Sequence, residues 1–297
     1  MKWRFFMNKL LIIFCIFLTF LSCDEKKSSK NLKSVKIGYV NWGGETAATN
    51  VLKVVFEKMG YNAEIFSVTT SIMYQYLASG KVDGTVSSWV PTADKFYYEK
   101  LKTKFVDLGA NYEGTIQGFV VPSYVPISSI SELKGKGAKF KNKMIGIDAG
   151  AGTQIVTEQT LDYYGLSKEY ELVPSSESVM LASLDSSIKR NEWVLVPLWK
   201  PHWAFSRYDI KFLDDPDLIM GGVESVHTLV RLGLENDDFD AYYVFDHFYW
   251  SDDLILPLMD RNDKDPGKEY RNAVEFVEKN KEVVKTWVPE KYKTLFD

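Results

Sequence analysis

Short strands and helices alternate along most of this chain, and this alternation constrains the fold more than any other feature. The segment VKIGYV at residues 35–40 is rich in residues that favour strands, and the apolar residues of 48–59 recur at helical spacing before Gly60. The same order continues with a strand, a helix and a strand at residues 63–68, 71–78 and 82–88. Strands that alternate with helices of this length predict parallel sheets whose faces are covered by helices.

A second series of elements follows, and two short apolar stretches separate it from the first. Its strands and helices are predicted, in order, at residues 144–147, 152–164, 170–173, 179–188 and 193–198. The apolar stretches, residues 118–122 and 228–232, are suited to cross between the two groups, and the chain is predicted to be helical from about Asp237. We therefore predict an α/β protein of two lobes with a ligand cleft between them. Lobe I begins with residues 35–118, lobe II comprises residues 119–227, and residues 228–297 return to lobe I as C-terminal helices.

The N-terminal residues have the layout of an export signal followed by a linker. Residues 10–21 form an uncharged apolar run after three basic residues, and the run is shorter than the ~20 residues of a membrane span. It ends in FLSC, which resembles a bacterial lipobox, so residues 1–22 are predicted to be a lipoprotein signal peptide and Cys23 the lipidated residue. An uncleaved anchor with an incidental cysteine is the alternative. Residues 23–34 are polar and are predicted to be a flexible tether, which places the folded part outside the cell membrane and on its surface.

Charge and residue counts exclude several classes of function. The chain carries 36 Lys and Arg against 40 Asp and Glu, and three of the basic residues, Lys2, Arg4 and Lys9, belong to the predicted signal peptide. The remainder is therefore acidic, the opposite of the balance that a nucleic-acid-binding protein needs. The chain has 3 histidines and 2 cysteines, Cys15 and Cys23, so a zinc-type metal site and a disulfide framework are not expected. Neither a dinucleotide fingerprint nor a P-loop is present, so we expect no cofactor.

Three tryptophans occupy corresponding positions at the ends of predicted strands. Trp42 follows the strand at 35–40, Trp89 follows the strand at 82–88, and Trp199 follows the strand at 193–198. Ligands of open α/β sheets bind at the carboxyl ends of strands, so we expect the three rings, divided between two lobes, to face one ligand. Trp89 and Trp199 share the pattern Trp-x-Pro, in which the proline has no N–H to continue the strand. The other tryptophans after residue 23 are expected to be packing residues: Trp193, Trp250, Trp287 and, unless it lies in the cleft, Trp203.

Aromatic faces turned toward one point form a negative cage, which suits a cation that makes no hydrogen bonds, such as a quaternary ammonium group. A second feature is the glycine-rich segment GIDAGAGTQ at residues 146–154, which leads from a predicted strand into a predicted helix. Backbone amides at a helix N-terminus favour an anion, and glycine lets a small carboxylate approach closely, although a plain tight turn explains the same glycines. Together the cage and the amides predict a zwitterion such as a betaine.

These residues resemble the substrate-binding lipoproteins of glycine betaine and choline ABC importers, over nearly all of residues 35–290. The matching segments are VNW at 40–42, SWVP at 88–91, GFVVP at 118–122, GIDAGAG at 146–152 and WKPHW at 199–203. The resemblance implies a type II periplasmic-binding-protein fold and a tryptophan prism of Trp42, Trp89 and Trp199 around a trimethylammonium group. It also implies that the backbone amides of Gly152 and Thr153 hold a carboxylate. The implied partners are the permease and ATPase subunits of an ABC transporter and, through the lipid on Cys23, the membrane.

One departure from the family pattern leaves the ligand open. Several betaine-binding members carry a histidine five residues after the second prism tryptophan, and this chain has Asp94 there. An acid at this place repels a carboxylate unless it turns away or is paired, whereas it can accept the hydroxyl of choline. Choline-selective members use an acidic residue two positions after the first tryptophan, where this chain has Gly44. Glycine betaine is the first expectation, because the glycine-rich segment has no evident purpose for a ligand without an anion, and choline or carnitine is the alternative.

An enzyme on the same two-lobed fold is the competing class. A pair such as Asp94 and Asp148 in the cleft is the candidate for catalysis, although Asp148 is also expected to support the glycine-rich segment through backbone hydrogen bonds. The chain has no Gly-x-Ser-x-Gly motif, and no histidine is expected next to an obvious nucleophile. We therefore expect a binding protein without catalytic residues, with a purely structural surface lipoprotein as a third possibility.

Overall fold

A computed structural model describes residues 33–297 of the chain. The predicted signal peptide, Cys23 and nearly all of the predicted tether lie outside the described residues. Residues 34–297 form one compact unit. None of its helices is long and apolar enough to cross a membrane.

Nine strands and eleven α-helices are assigned within residues 33–297, in largely alternating order. The strands are β1 (Ser34–Tyr39), β2 (Asn62–Ser67), β3 (Gly84–Val90), β4 (Phe105–Pro122), β5 (Lys143–Ile145), β6 (Glu171–Val173), β7 (Val196–Lys200), β8 (Ile210–Phe212) and β9 (Glu224–Arg231). The helices that precede β7 are α1 (Gly43–Lys58), α2 (Thr70–Ala78), α3 (Lys95–Leu101), α4 (Gly152–Tyr163) and α5 (Glu177–Lys189). The later helices are α6 (Ala204–Arg207), α7 (Leu234–Asp237), α8 (Phe239–His247), α9 (Asp252–Lys264), α10 (Glu269–Lys279) and α11 (Lys281–Trp287).

The main sheet has the strand order β2-β1-β3-β9-β4-β7, and β8 also pairs with β4. β1 pairs in parallel with β2 and β3, as predicted, and β5 and β6 form a separate parallel pair. The prediction of wholly parallel sheets is wrong, because β4 pairs antiparallel with β7, β8 and β9, and β9 pairs antiparallel with β3. The physical reason is that β4 carries the chain out of the first group of strands and β9 carries it back, so the two run in opposite directions side by side.

The 18-residue strand β4 joins the two groups of strands. Its first half pairs with β9, and its second half pairs with β7 and β8. The stretches predicted as short crossings, 118–122 and 228–232, are largely parts of these strands. The lobe boundaries expected after residues 118 and 227 fall inside continuous strands and stay a prediction. Pattern analysis missed the first half of β4, because its register shifts at Gly109 and Gly114, which both have positive φ.

The helices bury apolar faces against the sheets. α1 buries Val51, Leu52, Val55 and Phe56, and the chain leaves it at Gly60, whose φ of +89° suits a glycine after a helix. A second cluster of fully or nearly fully buried side chains lies around β5 and the second half of β4 and includes Phe119, Met144 and Leu166. The helical C-terminal region predicted from about Asp237 is confirmed by α8 to α11.

Candidate functional site

The structure brings Trp42, Trp89 and Trp199 together. Trp42 immediately precedes α1, whereas Trp89 and Trp199 are the last residues but one of β3 and β7, so these two lie within their strands rather than after them. β7 runs to Lys200 and not to Leu198, because its pairing with β4 continues until Pro201 removes a donor. All three side chains are more than nine-tenths buried.

Trp199 is the common neighbour of the other two rings. Its ring centroid lies 5.9 Å from that of Trp42 with an interplanar angle of 47°, and 6.5 Å from that of Trp89 with an angle of 76°. The planes of Trp89 and Trp199 are steeply inclined, so these two rings do not stack face to face. Trp42, Trp89 and Trp199 line one space and are not stacked in parallel, and we call this arrangement the tryptophan box.

Carboxylates fix the edges of two of these rings. The indole N–H of Trp42 donates to Oδ2 of Asp148 at 2.9 Å, and the indole N–H of Trp89 donates to Oε1 of Glu45 at 2.6 Å. Charge-assisted hydrogen bonds of this kind hold the ring orientation firmly. The backbone carbonyl of Asp148 accepts the amide of Ala151 at 2.9 Å, whereas its carboxylate holds Trp42 and not the glycine-rich segment. The roles of the Glu45 and Asp148 side chains could not be predicted from the sequence, because partners so distant in the sequence leave no local signal.

The start of α4 lies against the same box. Ala151 is the N-cap residue, so Gly152 and Thr153 are the first helical residues, and within residues 33–297 their backbone amides donate to no acceptor. The side chain of Thr153 is occupied, because its Oγ1 donates to Oε1 of Gln117 at 2.6 Å. The helix therefore presents two amide donors and the positive end of its dipole, which is a favourable place for a carboxylate.

Gly152 makes the tightest packing contact of this region. A Cβ added at Gly152 would lie 2.0 Å from the carbonyl oxygen of Ala93 and 2.8 Å from Oδ1 of Asp94. Real side chains do not approach a backbone atom this closely, so this position requires glycine for reasons of space. The N-terminus of α4 thus fits directly onto the turn that follows β3.

Asp94 is fully buried and internally paired. Its Oδ2 accepts the backbone N–H of Trp89 at 3.0 Å and the hydroxyl of Tyr74 at 3.4 Å. Burial raises the pKa of Asp94 to about 7, with a further contribution from the nearby charge of Glu45. Of the six predicted ligand-binding residues, five line one space of about 250 Å³, part of it open to solvent: Trp42, Trp89, Asp94, Thr153 and Trp199, together with Ala93. Gly152 lies directly beside it.

Contacts between different segments hold this arrangement together. Glu177 at the start of α5 accepts the backbone N–H of Gly43 at 3.0 Å and contacts the ring of the buried His202 at 2.9 Å. The hydroxyl of Tyr97 donates to the carbonyl of Gly150 at 2.6 Å. Arg207 pairs with Asp260 and Asp263, and its guanidinium lies 3.8 Å from the ring of Trp203. The contacts of Glu177, Tyr97 and Arg207 could not be predicted from the sequence, since most of them join segments that are far apart in it.

His227 has surroundings that partly resemble those of a catalytic histidine. His227 does lie next to a hydroxyl, because its Nε2 is 3.1 Å from Oγ of Ser225 and its Nδ1 is 2.9 Å from Asp107. The three residues link β9 to β4 across a shift in register, which gives them a structural role. The neighbouring amide of Thr92 donates to Glu224 at 3.0 Å and is not available to an oxyanion. Asp94 and Asp148, the catalytic pair considered from the sequence, hold different tryptophans.

Comparison with known proteins identifies the family. Residues 33–279 match the family model described as the substrate-binding domain of an ABC-type glycine betaine transport system. The chain belongs to this family. A substrate-binding domain of a transport system is a binding protein and not an enzyme.

Individual relatives agree with the family assignment. A crystal structure of the glycine/betaine/L-proline-binding protein ProX from Borrelia burgdorferi is 97% identical, covers 89% of this chain and 100% of that chain, and superposes with a TM-score of 0.89. Lactococcal OpuAC, in its closed conformation with glycine betaine, is 33% identical, covers 86% of this chain and 100% of that chain, and has a TM-score of 0.82. These matches confirm the two-lobed α/β fold.

A curated relative matches over a shorter region. The glycine betaine/carnitine transport binding protein GbuC of Listeria monocytogenes serotype 1/2a (strain 10403S) is 35% identical over 156 residues. The match covers 52% of this chain and 51% of the relative, so the chain spans about half the length of the curated relative.

Proposed function

We propose that this chain captures a quaternary ammonium compatible solute, glycine betaine first, and delivers it to the permease and ATPase subunits of an ABC importer. The observation that carries the proposal is the box of Trp42, Trp89 and Trp199 beside the amides of Gly152 and Thr153. The aromatic faces suit the trimethylammonium group, and the amides suit the carboxylate. The names of the relatives support this choice of ligand.

Asp94 is compatible with the carboxylate of a betaine although it is an acidic residue. With a pKa of about 7, the carboxyl group carries a proton in a large fraction of molecules near neutral pH. A protonated carboxyl has an O–H to donate, so Asp94 takes the place of the family histidine as a donor to the ligand carboxylate. Choline remains the second candidate, because an ionised Asp94 can accept its hydroxyl.

Calorimetric titration with glycine betaine, choline, carnitine and proline betaine tests the proposal. We expect binding of glycine betaine, and loss of most of its affinity when the three prism tryptophans are all replaced by alanine. Choline affinity at least tenfold tighter than betaine affinity, and lost on Asp94→Asn, would instead establish a choline-binding protein. Binding that survives the triple replacement would reject the tryptophan box as the site.

The membrane anchor forms a separate part of the proposal. Residues 1–22 act as a lipoprotein signal peptide, and Cys23 carries the lipid that keeps the domain on the outer face of the cell membrane. The sequence FLSC and the polar residues that follow it support this assignment. Metabolic labelling with a fatty-acid analogue should mark the wild-type chain and not Cys23→Ser, whereas equal labelling of both would refute the anchor.

A further inference from the structure

Glu45 is a buried carboxylate that the expected ligand contacts do not use. It lies in the first turn of α1 and is 4% exposed. Its Oε1 accepts the indole N–H of Trp89, while its Oε2 is buried and has no hydrogen-bond partner. Within residues 33–297 no Lys, Arg or His forms an ion pair with Glu45. A buried carboxylate without a cation is costly, and burial accordingly raises the pKa of Glu45 to about 7.

The surroundings of Glu45 are aromatic on one side and acidic on the other. A space of about 330 Å³, including its part open to solvent, is lined by Glu45, Trp89, Trp199 and Trp250. Trp89 and Trp199 are also walls of the box, so Glu45 stands directly behind it. The charge of Glu177 helps to raise the pKa of Glu45, and the charge of Glu45 helps to raise the pKa of Asp94. When ionised, Glu45 and Asp94 give this side of the box a negative potential, whereas Glu177 also contacts the ring of His202.

We infer that Glu45 is the counter-ion of the box: its carboxylate selects a cationic ligand over a neutral one of the same shape. Two physical effects act in the same direction. The charge attracts the ammonium group through a medium of low dielectric constant, and the hydrogen bond to Trp89 polarises the indole and makes its face more negative. The inference rests on the proposed function and adds to it a residue that contributes charge rather than shape.

The test separates charge from shape with two probes. Tetramethylammonium carries the cation alone, and 3,3-dimethylbutanoate is the carbon analogue of glycine betaine, with the same carboxylate and shape but no positive charge. Glu45→Gln preserves the size of the side chain and an oxygen that can accept the indole N–H of Trp89. At pH 8, where Glu45 is largely ionised, calorimetry should show at least tenfold weaker binding of tetramethylammonium and less than threefold change for 3,3-dimethylbutanoate.

Asp252→Asn is the matched control. Asp252 is an exposed carboxylate that accepts the hydroxyl of Tyr112, and Tyr112 lines the same space as Glu45. It should leave both affinities unchanged. Equal weakening of both probes by Glu45→Gln would show that Glu45 only positions Trp89, and unchanged binding of tetramethylammonium would also overturn the inference. A wild-type protein that binds neither glycine betaine nor tetramethylammonium would instead refute the proposed function itself.

Discussion

Replacing Gly152 by alanine should block the closed arrangement without unfolding the protein. The added Cβ would lie 2.0 Å from the carbonyl oxygen of Ala93, and about 3 Å is the shortest approach that such atoms tolerate. The start of α4 and the turn after β3 must therefore separate by about 1 Å. A backbone carbonyl cannot swing aside as a flexible side chain can, so the strain falls on the closed state.

The size of the effect follows from the cost of inserting a methyl group into a packed contact. That cost is about 2 kcal/mol, which corresponds to about 30-fold weaker binding of glycine betaine. The melting temperature of the ligand-free protein should change little, because the lobes relieve the clash by staying apart.

Calorimetry of Gly152→Ala, with thermal denaturation of the same sample, measures both quantities. Gly222→Ala is the matched control, since a Cβ at Gly222 meets nothing within 4 Å. Wild-type affinity in Gly152→Ala would refute the closed contact as a condition of binding. A collapse of the melting temperature would show that the contact belongs to the folding core and not to closure.

Three further predictions concern single residues of the site. Trp199→Ala should weaken betaine binding by ~2 kcal/mol or more in a calorimetric titration, because Trp199 neighbours both other rings, while Trp287→Phe should have little effect. Asp94→Asn should leave betaine binding equal or tighter, since the amide keeps a donor and an acceptor, and a tenfold loss would contradict this role. Glu45 and Asp94 have pKa values of about 7 in the folded state and about 4 in the unfolded state. Between about pH 4 and pH 7 the folded state therefore binds more protons than the unfolded state. The melting temperature of the ligand-free protein should therefore fall as the pH rises from 5.5 to 8, and this fall should be smaller in Glu45→Gln.

The elements that could be predicted from the sequence are those whose signals are local. β1, α1 and β3 could be predicted from apolar periodicity. The Trp-x-Pro pattern indicates that Trp89 and Trp199 lie near strand ends, and ligands of open α/β sheets bind at the ends of strands. The course of β4 could not be predicted, because Gly109 and Gly114 interrupt its alternation and its partner β9 comes only after β5 to β8. The acids Glu45, Asp148 and Glu177 were missed or misjudged for the same reason. Their partners come from distant segments, and only the folded chain places carboxylates at the indole edges of Trp42 and Trp89.

The most direct test of the tryptophan box is a crystal structure of the protein with glycine betaine. The quaternary nitrogen should lie within about 6 Å of the ring centroids of Trp42, Trp89 and Trp199, and a carboxylate oxygen about 3 Å from the amides of Gly152 and Thr153. Betaine bound away from these rings, or with its carboxylate toward Trp199 and its ammonium toward α4, would contradict the proposed mode of binding.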